Sequence, residues 1–277
     1  MTSKAVLAAL AGRSALFLPL LWAGQAHADQ ADQADPADFK REWHGNVGLG
    51  VASVPKYPGA EKSRTVAFPV GRLTYDRFFV GAGASPGTGA GLGVGAIAYR
   101  GNGLEVGLGL SYSLLSPRQE SRDPRLSGLG DVPKTARGQV FAAYTQEWFK
   151  IDASLSQDVG GKKEGLVASL GVEGRYRPMP ALMLTAGPRL TWGNQQYTQT
   201  MFGVTAEQSA RSGLSQYTPG SGLVQAQMEL GAIYQINRDW LVGARASFGR
   251  LEGDAAKSPI VEKKAQNTFG TYVSYRF

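Results

Sequence analysis

Three residues of this sequence could carry acid–base or nucleophilic chemistry: the carboxylates of Asp152 and Glu173 and the imidazole of His44. A serine hydrolase of the usual type needs a histidine as its general base, and His44 is the only histidine after residue 28. No serine stands in a recognisable nucleophile motif. Asp152 and Glu173 lie where charged and apolar residues alternate, so they are better interpreted as ion-pair partners. We therefore predict that the protein is not an enzyme.

The sequence gives a metal, cofactor or nucleic-acid site no more support than it gives an enzyme. The chain contains no cysteine, and no histidines and carboxylates have the spacing of metal ligands. The alternating glycines between 89 and 95 do not fit a dinucleotide-binding loop, because no helix is predicted after them. Together with Gly107 and Gly109, they are interpreted as positions that make room for bulky lumen side chains or let the barrel wall bend. The 29 basic and 22 acidic residues are spread along the chain. We predict no cofactor and no nucleic-acid partner.

The charged residues instead form a set that alternates with apolar ones and therefore shares one face of the predicted strands. A closed barrel would direct this face to its lumen, because charged groups facing lipid are costly. The predicted lumen charges are Glu105, Lys150, Asp152, Glu173, Arg175, Arg189, Glu229 and Arg245, with Glu147 at a strand end. Two interpretations remain open: a charged pore, or a salt-bridged interior that stabilises a filled barrel.

Alternation of apolar and polar residues is also the main structural signal of the chain. Residues 104–112, 166–177, 224–234 and 240–248 each place apolar side chains on one face of a strand and polar ones on the other. Aromatic residues on the apolar face lie near predicted strand ends, where a membrane barrel carries its aromatic girdles; they are Tyr112, Tyr176, Trp192, Tyr234 and Trp240. Leu108 is predicted to face lipid, and Gly107 the lumen, where a charge introduced at residue 107 would be hydrated.

The whole pattern predicts an all-β fold, a single closed antiparallel transmembrane β-barrel of about twelve strands within residues 43–277. The predicted strands are 43–53, 64–75, 78–85, 88–99, 103–113, 136–147, 149–159, 165–177, 181–193, 222–235, 239–251 and 267–277. Short turns alternate with long loops, which is the arrangement of periplasmic turns and external loops. An even strand count places both chain termini in the periplasm, and we expect outer-membrane lipid to surround the barrel.

The last strand is predicted to serve as an assembly signal. Phe269, Val273, Tyr275 and Phe277 share one face of a strand that ends on an aromatic residue. An unprotected apolar edge invites aggregation in a soluble protein. In an outer-membrane barrel, by contrast, such a strand closes the sheet and is bound by the barrel assembly machinery, which we therefore expect as a partner.

The N-terminus is predicted to be a cleavable signal peptide. Lys4 and Arg13 precede a short apolar stretch, and Ala26-His27-Ala28 matches the small-x-small cleavage pattern. The apolar stretch is shorter than the ~20 residues of a membrane helix. The predicted organisation is thus a signal peptide at 1–28, a short segment at 29–42 and the barrel at 43–277, with export to the outer membrane.

An ordered set of loop motifs resembles the MipA/OmpV family. The set begins with Pro55-Lys56-Tyr57-Pro58-Gly59-Ala60, in which Ala60 replaces the usual serine. It continues with Arg122-Asp123, Gly128-Leu129-Gly130-Asp131, Phe202-Gly203-Val204, Ser212-Gly213-Leu214 with Tyr217, and residues 253–261 with Asp254 and Pro259. The motif positions carried over as candidate site residues are Pro55, Tyr57, Gly59, Asp131, Phe202, Tyr217, Asp254 and Pro259.

The resemblance implies an outer-membrane barrel that acts as a scaffold for peptidoglycan synthesis and remodelling, linking a lytic transglycosylase to a murein synthase. The alternatives are a channel for small polar solutes, or a surface adhesin or stress-response protein. The motifs fall on predicted external loops, where a short helix is expected within 203–216, with Thr205 as its N-cap. Asp131 and Asp254 either cap local turns or tie these loops together across the barrel mouth.

Overall fold

The computed structural model of the chain describes residues 42–85 and 89–277, and these form a closed antiparallel barrel. Residues 1–41, with the predicted signal peptide and nearly all of the 29–42 segment, lie outside the described residues. The strands are β1 (His44–Pro55), β2 (Ser63–Tyr75), β3 (Phe78–Ser85), β4 (Gly89–Gly101), β5 (Leu104–Ser113), β6 (Ala136–Thr145), β7 (Phe149–Asp158), β8 (Leu166–Met179), β9 (Leu182–Gly193), β10 (Gly222–Gln235), β11 (Trp240–Leu251) and β12 (Ala265–Arg276).

Each strand pairs with its neighbours in the sequence, and β1 pairs with β12 to close the sheet. The closing register runs from Asn46 opposite Arg276 to Ser53 opposite Phe269. The twelve predicted strands are confirmed, with bounds within two residues of those expected. Glu147 was wrongly placed at a strand end, because β6 stops at Thr145 and Glu147 lies exposed in the turn before β7.

The predicted facing of the strands is confirmed as well. Leu108 is 55% exposed on the outer surface, whereas its neighbour Gly107 is buried on the lumen side, as the two-residue period requires. Tyr112 and Trp192 are exposed at one end of the barrel, and Tyr176 and Trp240 are exposed at the other. The outer surface therefore carries an apolar band between two levels of aromatic side chains, as in barrels that span a membrane.

Glycines on the lumen side make room for aromatic rings. A Cβ atom at Gly95 would overlap the ring of Phe79, and one at Gly107 would overlap the ring of Phe141. The two rings pack edge to face with centroids 5.9 Å apart. The interpretation of these glycines as spacers is confirmed. An arginine at residue 107, which we predict would perturb the lumen, would also meet the ring of Phe141.

Strand β2 directs its even-numbered residues inward, and Val66 and Val70 are buried. It pairs with β1 over its whole length, from Ser63 to Thr74, but with β3 only from Gly71 to Tyr75. Within the described residues, the segment from Ser63 to Val70 thus has no strand partner on the β3 side. Pro69 lies in this segment, and proline has no backbone N–H to donate to a partner strand.

Two α-helices and three single-turn 3₁₀ helices lie in the connections at one end of the barrel. Helix α1 spans Gln195–Phe202 and α2 spans Ala206–Ser212; the 3₁₀ turns are Glu120–Arg122, Pro124–Leu126 and Ala255–Lys257. The connections at the opposite end, which also holds Trp43 and Phe277, are short turns. Among the described residues, none of the helices has the length and apolar character needed to cross a membrane.

Deleting Phe277 is expected to impair assembly of the barrel. Phe277 exchanges two backbone hydrogen bonds with Gly45, of 3.1 and 3.2 Å, so its loss shortens the closing pair of strands and removes the terminal aromatic residue. The measurement is the amount of heat-modifiable barrel in isolated outer membranes. An unchanged amount would contradict the role of assembly signal, and Phe277→Tyr, which keeps an aromatic end, is the control.

Candidate functional site

On the inner wall of the barrel, one arginine is held between two carboxylates. Arg189 on β9 donates to both carboxylate oxygens of Asp152 on β7, at 2.7 and 3.1 Å, and through Nε to Glu229 on β10 at 3.0 Å. Gln227 also donates to Glu229, at 2.7 Å. Arg189 is only 4% exposed. A bidentate arginine in such a site fixes both its own geometry and that of its partners.

Two further ion-pair groups line the same face. Glu173 accepts from Arg175 at 3.2 Å and lies 3.9 Å from Arg245. Glu105 accepts from Arg100 at 2.8 Å and from Arg72 at 3.1 Å. The guanidinium of Arg72 also lies 3.9 Å from the centre of the Phe79 ring.

Lys150 lies on the lumen side opposite Glu173 in the β7–β8 register. All eight predicted lumen charges therefore lie on the inner face, where ion pairs join them to one another or to Arg72 and Arg100. These pairs join side chains along the inner wall of the barrel, and all but Arg100 are less than 20% exposed. The geometry therefore favours the salt-bridged interior over the charged pore.

The long loops pack over one mouth of the barrel and form what we call the outer cap: residues 56–62, 114–135, 194–221 and 252–264. One buried cluster in the cap joins Tyr57, Ala60, Leu126, Leu129, Val204 and Ile260. A second cluster, nearer the strands, includes Val132, Tyr197, Met201, Phe202, Val224 and Leu251. Each cluster draws side chains from several loops, so the cap has an apolar core of its own.

The motif residues Tyr57 and Phe202 are central to this core, at 2% and 1% exposure. The hydroxyl of Tyr57 donates to Glu262 at 2.9 Å, which links the first and last loops of the cap. Burial first, and then the Glu262 carboxylate, raises the pKa of Tyr57 above its ordinary value. Ser258 donates to the carbonyl of Phe202 at 2.6 Å, so the last loop is also fixed to α1.

Other motif residues shape or link the loops. Gly59 has φ +97°, a left-handed conformation that a side chain would strain, and Pro55 ends β1. Pro259 offers its carbonyl to Arg125 at 2.6 Å, which joins the last loop to 114–135. The Tyr217 hydroxyl donates to the carbonyl of Asp254 at 2.8 Å.

The two motif aspartates behave differently. Asp254 accepts from the backbone N–H of Gly220 at 3.0 Å and from Lys257 at 3.0 Å, so it does join two long loops. Asp131 accepts from the N–H of Glu120 at 2.8 Å within its own loop, so the prediction that it ties loops together was wrong. Asp123 makes the inter-loop contact instead, through a 3.1 Å ion pair with Lys56.

The expected short helix is confirmed as α2. The hydroxyl of Thr205 caps the backbone of Gln208, the Gln208 side chain returns to the N–H of Thr205, and Gly213 ends the helix at φ +73°. Helix α1 was missed, although Asn194 supplied the signal: its side chain accepts from the N–H of Tyr197 as an N-cap. The buried residues of α1 pack against Val167 of β8 and Val224 of β10 in the second cluster of the cap.

A buried ion pair at the rim of the cap was also missed. Arg137, near the external end of β6, is 1% exposed and donates to Glu164 at 3.2 Å, to Ser156 and to the carbonyl of Gly165. Burial raises the pKa of Glu164 to about 7, although Arg137 opposes the rise. No spacing in the sequence joins residues 137 and 164, because the contact depends on the β6–β7 register and the turn that follows.

Replacing Asp254 by alanine is expected to loosen the cap without unfolding the barrel. Its contacts with Gly220 and Lys257 lower the pKa of Asp254, so these contacts are present above its unfolded pKa and are lost as pH falls through the lower folded value. Limited proteolysis at neutral pH should cut 194–221 and 252–264 faster in Asp254→Ala. Asp131→Ala, the control, should expose only 114–135. Equal cleavage in both variants would contradict an inter-loop role for Asp254.

Within residues 42–85 and 89–277, no three histidine, aspartate or glutamate side chains come together as metal ligands would. The described part of the chain therefore offers two structured features, the ion-paired lumen and the outer cap. Both are built from side chains that contact one another.

Comparison with known proteins finds a family and relatives that this chain resembles. A family model described as "MltA-interacting protein MipA" matches residues 47–277. The MltA-interacting protein of Escherichia coli (strain K12) is 27% identical over 57% of this chain. The putative outer membrane protein YiaT of the same organism is 26% identical over 57% of this chain. The matched segment spans 63% of the length of each relative.

Solved structures with a similar fold include two outer-membrane barrels. The COG4313 outer membrane channel from Pseudomonas putida F1 is 14% identical, with 88% of this chain and 100% of that chain covered and a TM-score of 0.43. A Pseudomonas aeruginosa FadL homologue is 12% identical, with coverage of 94% and 99% and a TM-score of 0.46. These likenesses are too distant to carry an argument about function.

Proposed function

This chain belongs to the MltA-interacting protein MipA family of outer-membrane proteins, and from that premise we propose that it is a scaffold for enzymes that synthesise and remodel peptidoglycan. A lytic transglycosylase is the first partner proposed, since the name of one relative states that it interacts with MltA. A murein synthase is the second. In this proposal the barrel itself catalyses no reaction.

The observation that supports a scaffold most is the filling of the barrel. The lumen carries ion pairs around Arg189, Glu173 and Glu105, and the outer cap has a buried core over the external mouth. An open solute channel needs a continuous water-filled path. A barrel whose interior and mouth are occupied by its own side chains is better suited to present fixed surfaces to partners.

The cap loops lie on the external side, whereas peptidoglycan lies in the periplasm. A partner enzyme would therefore contact the short turns at the opposite end, which present large exposed side chains. Trp148 is 68% exposed and Ile236 is 56% exposed, and both lie in turns. Exposed apolar residues grouped at one end of a protein are common features of interaction surfaces.

Site-specific crosslinking tests the scaffold. The sequence has no cysteine, so single cysteines can carry a photoreactive label. We expect Trp148→Cys or Ile236→Cys to crosslink to a lytic transglycosylase in intact envelopes. Lys263→Cys, exposed in the external loop 252–264, is the matched control and should not. Capture of no peptidoglycan enzyme from either turn position would contradict the proposal.

A channel for small polar solutes is the second candidate, and the charged residues of the lumen favour it. Planar-bilayer recording of the purified barrel separates the two candidates. We expect no stable open conductance, because the ion pairs and the cap occupy the path. A steady conductance that changes with Arg189→Ala would support the channel instead.

A further inference from the structure

An open groove of about 550 Å³ crosses the outer surface of the barrel from β2 through β1, β12 and β11 to β10. Two rows of outward-facing side chains form its sides, and the backbone of the residues between them forms its floor. The first row is Val51, Thr271, Ala244 and Ala232, and the second is Thr65, Ser53, Phe269, Ala246 and Leu230. Val51, Phe269 and Leu230 are 51%, 48% and 42% exposed, so this is a lipid-facing groove.

Small side chains at the middle of both rows create the lipid-facing groove. Ala244 of β11 lies opposite Ala232 of β10 and opposite Thr271 of β12, so three small side chains are neighbours across the sheet. Larger outward side chains, Val242 and Phe248, precede and follow these positions on β11. The two rows are two residues apart along each strand, about 6.8 Å, which is wide enough for one hydrocarbon chain. The groove therefore has the width and the apolar lining that suit an acyl chain.

The lipid-facing groove descends from the external side of the barrel into the membrane. Thr65, at one end, is the third residue of β2 and lies next to the cap, whereas Ala232, at the other end, is three residues from the periplasmic end of β10. Neighbouring strands are about 4.8 Å apart, so the groove is about 19 Å long. Half of the ~30 Å hydrocarbon core belongs to one leaflet. An acyl chain of an outer-leaflet lipid therefore matches the groove in depth and direction.

Exposed lysines lie above the external end of the groove. Lys62 immediately precedes β2, and Lys264 immediately precedes β12. Their two loops are joined, because the carbonyl of Gly59 accepts from the N–H groups of Glu262 and Lys263 at 2.8 and 3.0 Å. The charged residues in 61–62 and 262–264 are Glu61, Lys62, Glu262, Lys263 and Lys264. The surplus is positive, which attracts anionic lipid headgroups at a membrane surface.

We propose that the lipid-facing groove binds one acyl chain of a phosphate-bearing lipid of the outer leaflet, whose phosphate is bound by Lys62 and Lys264. The apolar sides of the groove bury the chain, and the two ammonium groups attract the phosphate as point charges. Every lipid chain around the barrel contacts its outer wall. A lipid with a phosphate at the level of the cap gains the contact with the lysines as well. This site does not depend on the scaffold function.

Native mass spectrometry of the purified barrel with lipid A, a phosphorylated lipid, tests the groove. Ala246→Phe places a ring in the groove and should weaken binding about tenfold, as expected when about two methylene groups lose their contacts. Ala244→Leu, a smaller filling of the groove, should also weaken binding. The matched control is Ala153→Phe, since Ala153 is an exposed, outward-facing alanine of β7 outside the groove, and this variant should bind as wild type does. Equal binding by Ala246→Phe and Ala153→Phe would overturn the proposal.

Dephosphorylated lipid A tests the lysines. Wild type should bind the phosphorylated form at least about tenfold more tightly, and Lys62→Gln with Lys264→Gln should remove this preference. Lys134→Gln with Lys162→Gln is the matched control, because both lysines are exposed on other external loops, and it should keep the preference. Equal binding of the two lipids by wild type would contradict the proposal. So would a lipid-free dimer that dissociates in Ala246→Phe, because a second copy of the chain would then occupy the groove.

Discussion

Replacing Arg189 by alanine is expected to lower the free energy of unfolding of the barrel by about 3–5 kcal/mol, the cost typical of breaking a buried ion pair. Arg189 satisfies both oxygens of Asp152 and one of Glu229. Without it, the carboxylates of Asp152 and Glu229 lose the guanidinium group that pairs with both of them. The free energy is measured from urea titrations of the barrel in lipid vesicles, with folding followed by gel migration.

Arg238→Ala is the control for this prediction, because Arg238 is exposed in the turn between β10 and β11 and its loss should cost less than about 0.5 kcal/mol. A second variant combines Arg189→Met with Asp152→Leu and Glu229→Leu. Since apolar replacement of a whole buried ionic group is often close to neutral, this triple variant should recover most of the lost stability. A cost below about 1 kcal/mol for Arg189→Ala would mean that water reaches the group freely.

Leu108→Arg is the second change with a large expected effect, about 2–4 kcal/mol if residue 108 lies near the bilayer midplane. Leu108 is 55% exposed on the outer face of β5, between the two aromatic levels. An arginine here would put a charge into hydrocarbon. The same urea titration in vesicles measures the effect.

Tyr112→Arg is the matched control for Leu108→Arg. Tyr112 lies on the same face of the same strand, at the level of the external aromatic residues, where an arginine should cost about 0–1 kcal/mol. The difference between the losses of unfolding free energy in the two variants shows how much deeper in the membrane residue 108 lies than residue 112. Equal costs would show that Leu108 does not lie near the midplane.

The strands could be predicted from the sequence because the signal for each strand lies in consecutive residues. Alternation of side chains fixes both the extent of a strand and its lipid face, as Leu108 and Gly107 illustrate. The bounds of β6 and β12 differ by up to two residues, because a strand end depends on pairing with its neighbour. The capped helix α2 was predictable for the same reason, since Thr205, Gln208 and Gly213 are close in sequence.

The partners of charged and loop residues could not be predicted, because they depend on contacts between distant segments. The sequence predicted that the lumen charges share one face of the strands. The pairing of Arg189 with Asp152 could not be predicted, because it depends on the registers of β7, β8 and β9. Asp131 was expected to join loops because it resembles Asp254 in its local sequence. The loop path turns Asp131 back toward Glu120, and Asp123, an equally ordinary aspartate, faces Lys56 instead.

The outer cap also carries information about the order of assembly. Tyr57 and Glu262 are 205 positions apart, and Gly59 bonds to Gln266, Glu262 and Lys263. These contacts cannot form until the last strand has reached the first, so a finished cap marks a finished barrel. A protease added outside the cell during biogenesis should cut the first loop only in molecules that have not yet closed. Protection of the first loop from the protease would then report when the sheet has closed.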